Sequence, residues 1–181
     1  DKALEYGMDT IAITDHGNMF GAIEFYQDAQ NAGIKPIIGC EAYIAPKSRL
    51  DKSSSGIREA AYHLILLCKD EEGYHNLMKL VSIGYMEGFY YRPRIDKEVL
   101  AKHAKGLIGL TACLKGEIPA LLSNNQLNGA LKCADDYLQI FGRGNFYIEI
   151  QENGLSEQTL CNQGLIKLAK ELSLPLVATN D

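Results

Sequence analysis

The stretch Ile11–Phe25, "IAITDHGNMFGAIEF", decides how the rest of the chain is read. A short apolar, β-rich run ends abruptly at Thr14-Asp15-His16-Gly17-Asn18, and a helix-like pattern follows at once. A strand that opens through a turn onto a helix is the repeating unit of α/β folds. Two readings fit the junction. In one, Asp15 or Asn18 caps the helix and His16 is a turn residue. In the other, the junction delivers metal ligands at the carboxyl end of a strand, where parallel α/β folds collect their chemistry.

Outward from this stretch, apolar runs alternate with helical patterns. Strands are expected at 10–14, 35–45, 61–68, 106–113, 145–151 and 175–180, with 10–14 buried. Helices are expected at 19–33, 70–87, from about Lys97, between Ile118 and Phe141 with a break near Ser123-Asn124-Asn125, and at 156–172. Phe20, Ile23, Phe25 or Tyr26 and Ala29 fall near helical spacing in the first long helix, and Gly33 suits its C′ position. Ser156 is a candidate cap for the last helix. The serine-rich stretch 47–59 reads as a mobile surface loop. Six strand-like runs in this alternation imply a parallel sheet with crossover helices, either doubly wound or part of a barrel. No GxGxxG follows the first strand and no GxxxxGK[ST] occurs, which removes the main support for a Rossmann or P-loop nucleotide site.

With 181 residues, 46% of them hydrophobic and 23% charged, the chain suits one globular domain. No apolar run nears the roughly 20 residues of a membrane span, and no signal peptide is visible. The five cysteines are widely spaced and include no CxxC pair, which argues against a disulfide framework or zinc ribbon and suits a reducing cytoplasm. A net charge of −5 means that any nucleic-acid contact is local rather than driven by the field of the whole domain.

The expected strand ends carry Asp15 and His16, Cys40 and Glu41, His63 near the start of its strand, Ala112 and Cys113, Glu149 with Glu152, and Asn180 with Asp181. Each has a plain structural reading: a turn at His16, a core imidazole at His63, a small buried hydrophobe at Cys113, a turn at Asp181. Glu149 shares an alternating strand face with Tyr147 and Gln151, which reads as facing solvent. Glu41 is harder to explain structurally, because a carboxylate inside an apolar strand is costly unless paired or metal-bound. The joint arrangement favours a metal site, since imidazole, thiol and carboxylate are the ligands that divalent metals take.

The stretches "AITDHGN", "GIKPIIGCEAYIAP", "YHLILLCKDEEGYHNLMKLVS", "GFYYRPRID", "GLIGLTACLKGEIP" and "LPLVATND" resemble, in order along essentially the whole chain, the PHP (polymerase and histidinol phosphatase) domain of bacterial DNA polymerase III alpha subunits. The resemblance implies an incomplete (β/α)7 TIM-like barrel of the PHP type, with a cluster of divalent metal ions, zinc or manganese, at its carboxyl face. It implies His16, Glu41, His63, Cys113 and Asp181 as metal ligands, with Asp15 orienting an imidazole. The family's HxH strand and following aspartate would lie before Asp1, and its last histidine just after Asp181, so residues 1–181 are expected to be such a domain shortened at both ends.

The resemblance further implies a DNA-directed DNA polymerase, a cytoplasmic nucleotidyltransferase of DNA replication, whose polymerase active site lies outside this chain. DNA, a proofreading subunit and a sliding clamp would be its partners. A metal-dependent 3′–5′ exonuclease or phosphoesterase site would be the domain's own chemistry, with Tyr90, Tyr91, Arg92 and Arg94 as candidates to hold a DNA end by stacking and phosphate contact. The plain reading of 90–94 is an amphipathic surface loop. Two alternatives stand beside this: a non-catalytic platform that docks a proofreading subunit, and a free PHP-family phosphatase.

Overall fold

A computed structural model describes residues 2–53 and 61–180. In chain order the elements are α1 (Lys2–Glu5), β1 (Thr10–Ile13), α2 (Ala22–Asn31), β2 (Lys35–Ile44), β3 (Tyr62–Cys68), α3 (Glu71–Met86), β4 (Arg94–Ile95), α4 (Lys97–Lys102), β5 (Leu107–Leu110), α5 (Glu117–Ser123), α6 (Leu127–Phe141), β6 (Phe146–Gln151), α7 (Ser156–Leu172) and β7 (Leu176–Thr179). The expected loop at 47–59 is irregular through residue 53, and 54–60 lie outside the described residues, as does Asp181.

The strands form one sheet in the order β1-β2-β3-β5-β6-β7, with the short β4 joined to β2. The sheet is curled into an incomplete barrel. The expectation of a wholly parallel sheet needs one correction: β3 runs antiparallel to both of its neighbours, β2 and β5, while the other pairs are parallel. Apolar periodicity sets which face of a strand is buried but carries no information on direction.

The period of two gives each strand a convex and a concave face. On the convex side, Cys40, Ala42, Ile44, Leu64, Leu66, Leu107, Phe146 and Ile148 join a core completed by helical residues such as Leu77, Leu80, Ala134, Tyr137 and Leu168. The Phe141 and Phe146 rings are stacked 5.9 Å apart with their planes nearly parallel. Phe141 can rest on β5 because residue 109 is glycine: a Cβ there would fall 2.5 Å from the ring. On the concave side a smaller cluster of Ile65, Leu110 and Ala112 is joined by Leu67, Ile108, Tyr147 and Val177.

Helix ends follow from local chemistry. Asp70 caps α3 by accepting from Gly73 N at 2.9 Å, and Asp96 caps α4 by accepting from Val99 N at 3.1 Å. Gly33, at φ +73°, closes α2: its N–H donates to Gln30 O and that of Ile34 to Ala29 O. Three local expectations are corrected. Ser156 is the first residue of α7 rather than its cap, which is Leu155, and its hydroxyl turns to Glu157. On α2 the buried residues are Ala22 and Ala29, whereas Phe20, just before the helix, and Ile23 and Tyr26 within it are exposed. β1 is a half-buried edge strand with Ala12 exposed.

Candidate metal centre

The turn after β1 stays in register with the sheet for one more residue pair. Glu41 N donates to Asp15 O at 3.0 Å, and Gly17 N donates to Glu41 O at 2.9 Å, so His16 is bridged to Glu41 in the second half of β2. Gly17 has φ +67°, and a Cβ there would meet Tyr43 Cε2 and Pro93 Cγ at 2.9 Å, so the turn requires glycine for both shape and space. Asn18 closes the turn: its Nδ2 donates to His16 O and its Oδ1 accepts from Phe20 N, both at 3.0 Å. It caps this turn rather than α2, which begins at Ala22 after Gly21.

The direction of β3 supplies the next group. His63 lies near the start of β3, and because that strand is antiparallel its start lies where β2 finishes, opposite Tyr43. His63 N donates to Lys115 O at 3.0 Å, which ties the residue to the turn after β5. His63 and Glu41 therefore share the concave face as diagonal neighbours.

His16, Glu41 and His63 each offer a ligand atom within 4.8 Å of the other two. His16 Nδ1 is 3.5 Å from Glu41 Oε2, and His63 Nδ1 abuts Glu41 Oε1. The Glu41 and His63 side chains are 7% and 10% exposed, whereas that of His16 is 59% exposed and forms the open side of the group. Glu41 Oε1 is buried and makes no hydrogen bond of ordinary geometry, and it forms an ion pair with His63 when that imidazole is protonated. A buried carboxylate is costly unless a cation stands beside it, and either the His63 imidazolium or a metal ion fills that role. Two imidazoles and a carboxylate around such an atom fit a divalent ion of the zinc or manganese kind. For His63, burial opposes the charged imidazolium, but the Cys113 thiol and the Glu41 carboxylate outweigh it and the pKa is pushed up to about 9.

Cys113 Sγ lies 3.8 Å from His63 Nδ1, beside the three-residue group rather than within it. Asp15 is exposed, and among the described residues no hydrogen bond joins its carboxylate to an imidazole. Asp181 lies outside the described residues. Glu149 corrects its expected solvent-facing position: it is only 3% exposed. The curl of the sheet turns the Tyr147-Glu149-Gln151 face inward, so alternation marks a polar interior rather than a surface.

In the segment 90–94, the Tyr90 and Tyr91 rings pack at 4.5 Å, and Arg92 sits 5.7 Å from the centre of the Tyr43 ring. Arg94 is withdrawn from the candidate phosphate contacts, because it is 1% exposed. Its guanidinium donates to Gly88 O, Arg49 O and Asp51 O at 3.1, 3.2 and 2.8 Å. A cleft of about 850 Å³ opens over the site, with His16 and His63 in its wall together with Tyr91, Arg92, Phe89 and Lys115. Phe89 and Lys115 were not legible as site residues: one reads as a generic loop aromatic, and the other is brought in only by its backbone bond to His63.

The PHP domain family matches residues 1–153. The chain belongs to this family. It is similar to the DNA polymerase III subunit alpha of Borreliella burgdorferi, at 50% identity over 180 residues, 99% of this chain and 16% of the relative. The subunit of Treponema pallidum is 50% identical over 179 residues, 99% of this chain and 15% of the relative, and that of Thermus aquaticus 51% over 172 residues, 94% and 14%. The PHP domain thus spans about one sixth or less of the length of these relatives. A solved structure named as a metal-dependent phosphoesterase, from Bifidobacterium adolescentis, aligns with 98% of the PHP domain and 78% of its own chain at a TM-score of 0.53 and 15% identity. That likeness bears on the fold and agrees with the curled, incomplete barrel. No helix of the PHP domain, among the described residues, is long and apolar enough to cross a membrane.

Proposed function

We propose that this PHP domain is a unit of a cytoplasmic replicative DNA polymerase alpha subunit and carries a metal-dependent site for 3′–5′ hydrolysis of a phosphodiester at a DNA end. The observation that carries the reading is the buried Glu41 carboxylate clustered with two imidazoles at a cleft with aromatic and cationic walls. His16, Glu41 and His63 would hold the ion, with Cys113 and Asp181 as further donors and Asp15 as a neighbour to an imidazole. A divalent ion bound there activates water and offsets the charge that develops on the phosphate. Arg92 and Lys115 would contact phosphate oxygens, while Tyr91, with Tyr90 packed against it, offers a face for a terminal base. Nucleotide addition, the docking of a proofreading subunit and the contact with a sliding clamp belong to this proposal for the whole polymerase.

A second reading has its own support. Phe20 and Met86 are 82% and 85% exposed, and Phe20 packs its ring 6.4 Å from Tyr85. Exposed apolar residues of this kind suit a platform that docks a proofreading subunit, with metal serving the fold. The two readings separate on one experiment. In the intact polymerase, His16→Ala is expected to lower both the bound metal, read by elemental analysis, and the metal-dependent release of 3′ nucleotides. Loss of metal with an unchanged nuclease rate would favour the platform.

A further inference from the structure

The buried Glu149 lies outside the ligand group, yet its carboxylate is fully engaged. Oε2 accepts from Ala112 N at 2.8 Å, and Oε1 accepts from Gln151 Nε2 at 3.1 Å and from the Thr179 hydroxyl. Its own backbone N–H donates to Thr111 Oγ1 at 2.8 Å. Carboxylate oxygens occupied in this way by donors from β6, β7 and the end of β5 are poor candidates for a metal ligand.

What they grip is informative. Ala112 is buried and sits at φ +61°, in the left-handed region that residues with a Cβ avoid. A non-glycine residue persists there only when its surroundings over-determine it. Glu149 is one determinant, because the strained peptide donates its N–H into that carboxylate; the bonds of Gly116 N to Cys113 O and of His63 N to Lys115 O hold the far side of the turn. The next residue is Cys113, and the bend at Ala112 directs Sγ toward His63 Nδ1. Without the bend, β5 would continue extended and the thiol would leave the His16-Glu41-His63 group.

We infer that Glu149 is a positioning residue for the metal centre: by holding the Ala112 peptide in its left-handed turn, it places the Cys113 thiol within reach of an ion bound by His16, Glu41 and His63. The inference rests on the metal-site reading above and adds that Cys113 donates only while Glu149 holds the turn. Length and hydrogen bonding should matter more than charge. Glutamine preserves the reach and can still accept from Ala112 N–H, while its amide would donate to the Thr179 oxygen and, once the Gln151 amide is flipped, to Gln151 Oε1. Aspartate preserves the charge but falls one methylene short.

The test uses the intact protein loaded with cobalt(II) in place of its native ion. The readouts are the thiolate-to-cobalt charge-transfer absorbance per bound ion and the cobalt affinity. Cys113→Ser identifies the part of the band that belongs to this thiol. Glu149→Asp is expected to lose that part and to weaken cobalt binding by roughly 10–100-fold, the range found when partners of metal ligands are removed. Glu149→Gln is expected to keep both close to the unsubstituted protein. Retention of the band in Glu149→Asp, or its loss in Glu149→Gln alone, overturns the inference, as does a band indifferent to Cys113→Ser. If the unsubstituted protein binds no cobalt, the metal-site reading itself fails, which is a separate outcome. Circular dichroism of both variants, each close to glutamate in volume, guards against reading a folding defect as a lost ligand.

Discussion

His63 is held by two opposing influences, and their balance has a measurable consequence. Burial disfavours its charged form, yet the Cys113 thiol and the Glu41 carboxylate raise its pKa to about 9. In the metal-free protein the imidazole is therefore protonated at neutral pH. A metal ion takes a neutral imidazole, so binding must expel that proton. His63 alone then contributes about a tenfold rise in affinity per pH unit below its folded pKa, and any thiol that ligates as thiolate adds to that slope. Isothermal titration of zinc or manganese between neutral pH and pH 9, in buffers of different ionisation enthalpy, would show the proton release directly. A flat affinity across that window would mean that His63 is not displaced from its proton and does not ligate. The sequence made His63 legible as a candidate through the resemblance, since an imidazole in an apolar strand reads equally well as a core residue. Glu149 was not legible, because alternation reports two faces without saying which of them a curled sheet encloses.

At the scale of elements, the cleft wall depends on an ion-pair frame set behind it. Asp96, 2% exposed, caps α4 through Val99 N and also accepts from Arg49 N at 2.9 Å and Arg49 Nη1 at 3.1 Å. Arg49 reaches Glu87 at the end of α3 at 2.7 Å, and Arg94 ties Gly88 to residues 49 and 51. These bonds fasten both ends of the segment that presents Tyr91 and Arg92. Burial alone would raise the Asp96 pKa, but the Arg49 and Val99 backbone N–H groups and the Arg49 guanidinium outweigh it and hold it below its ordinary 3.8. The folded value is thus below the unfolded one, so the frame contributes its stability above the ordinary carboxylate range and loses it as pH falls through the folded value. Asp96→Ala should cost roughly 1–3 kcal/mol, because it removes the α4 cap and the charged bonds to Arg49, while Arg49 keeps its pairing with Glu87. It should also flatten the acid limb of the stability curve, read from urea midpoints at successive pH values. A loss under about 1 kcal/mol, the range of exposed pairs, would show that the frame is solvated. Little of this frame was readable beforehand. The α4 start near Lys97 follows from local pattern, but a guanidinium bonded to carbonyls far along the chain leaves no periodic trace, and Arg94 read as a surface cation.

For the molecule as a whole, the candidate metal centre lies where three separately encoded pieces meet: the turn after β1, the second half of β2 and the antiparallel start of β3. Most helices and strands were legible from apolar spacing, and the barrel class from the resemblance. The direction of β3 was not, and it is what puts His63 beside Glu41. β2 and β3 are joined by a continuous ladder across this group, whereas the turn after β1 is held to β2 by the bonds of Gly17 and Glu41, and the turn after β5 to β3 by that of His63 to Lys115. An ion spanning His16, Glu41 and His63 would cross-link these pieces and take the place of the His63 proton beside Glu41. Binding to the folded state alone stabilises by about 2.7 kcal/mol when free ion stands at 100 times its dissociation constant. For a domain of this size that corresponds to a melting shift of roughly 5–10 °C. Chelation should therefore lower the melting temperature of the domain by that amount, and adding the ion back should restore it. The local signature separates this cross-link from a general salt effect. Chelation should speed hydrogen exchange at the amides of Gly17, Glu41 and His63, while those of α6 and β6, packed on the convex core around Phe146, change far less. Equal acceleration across both regions, or none at the three amides, would show that metal does not tie these strands together.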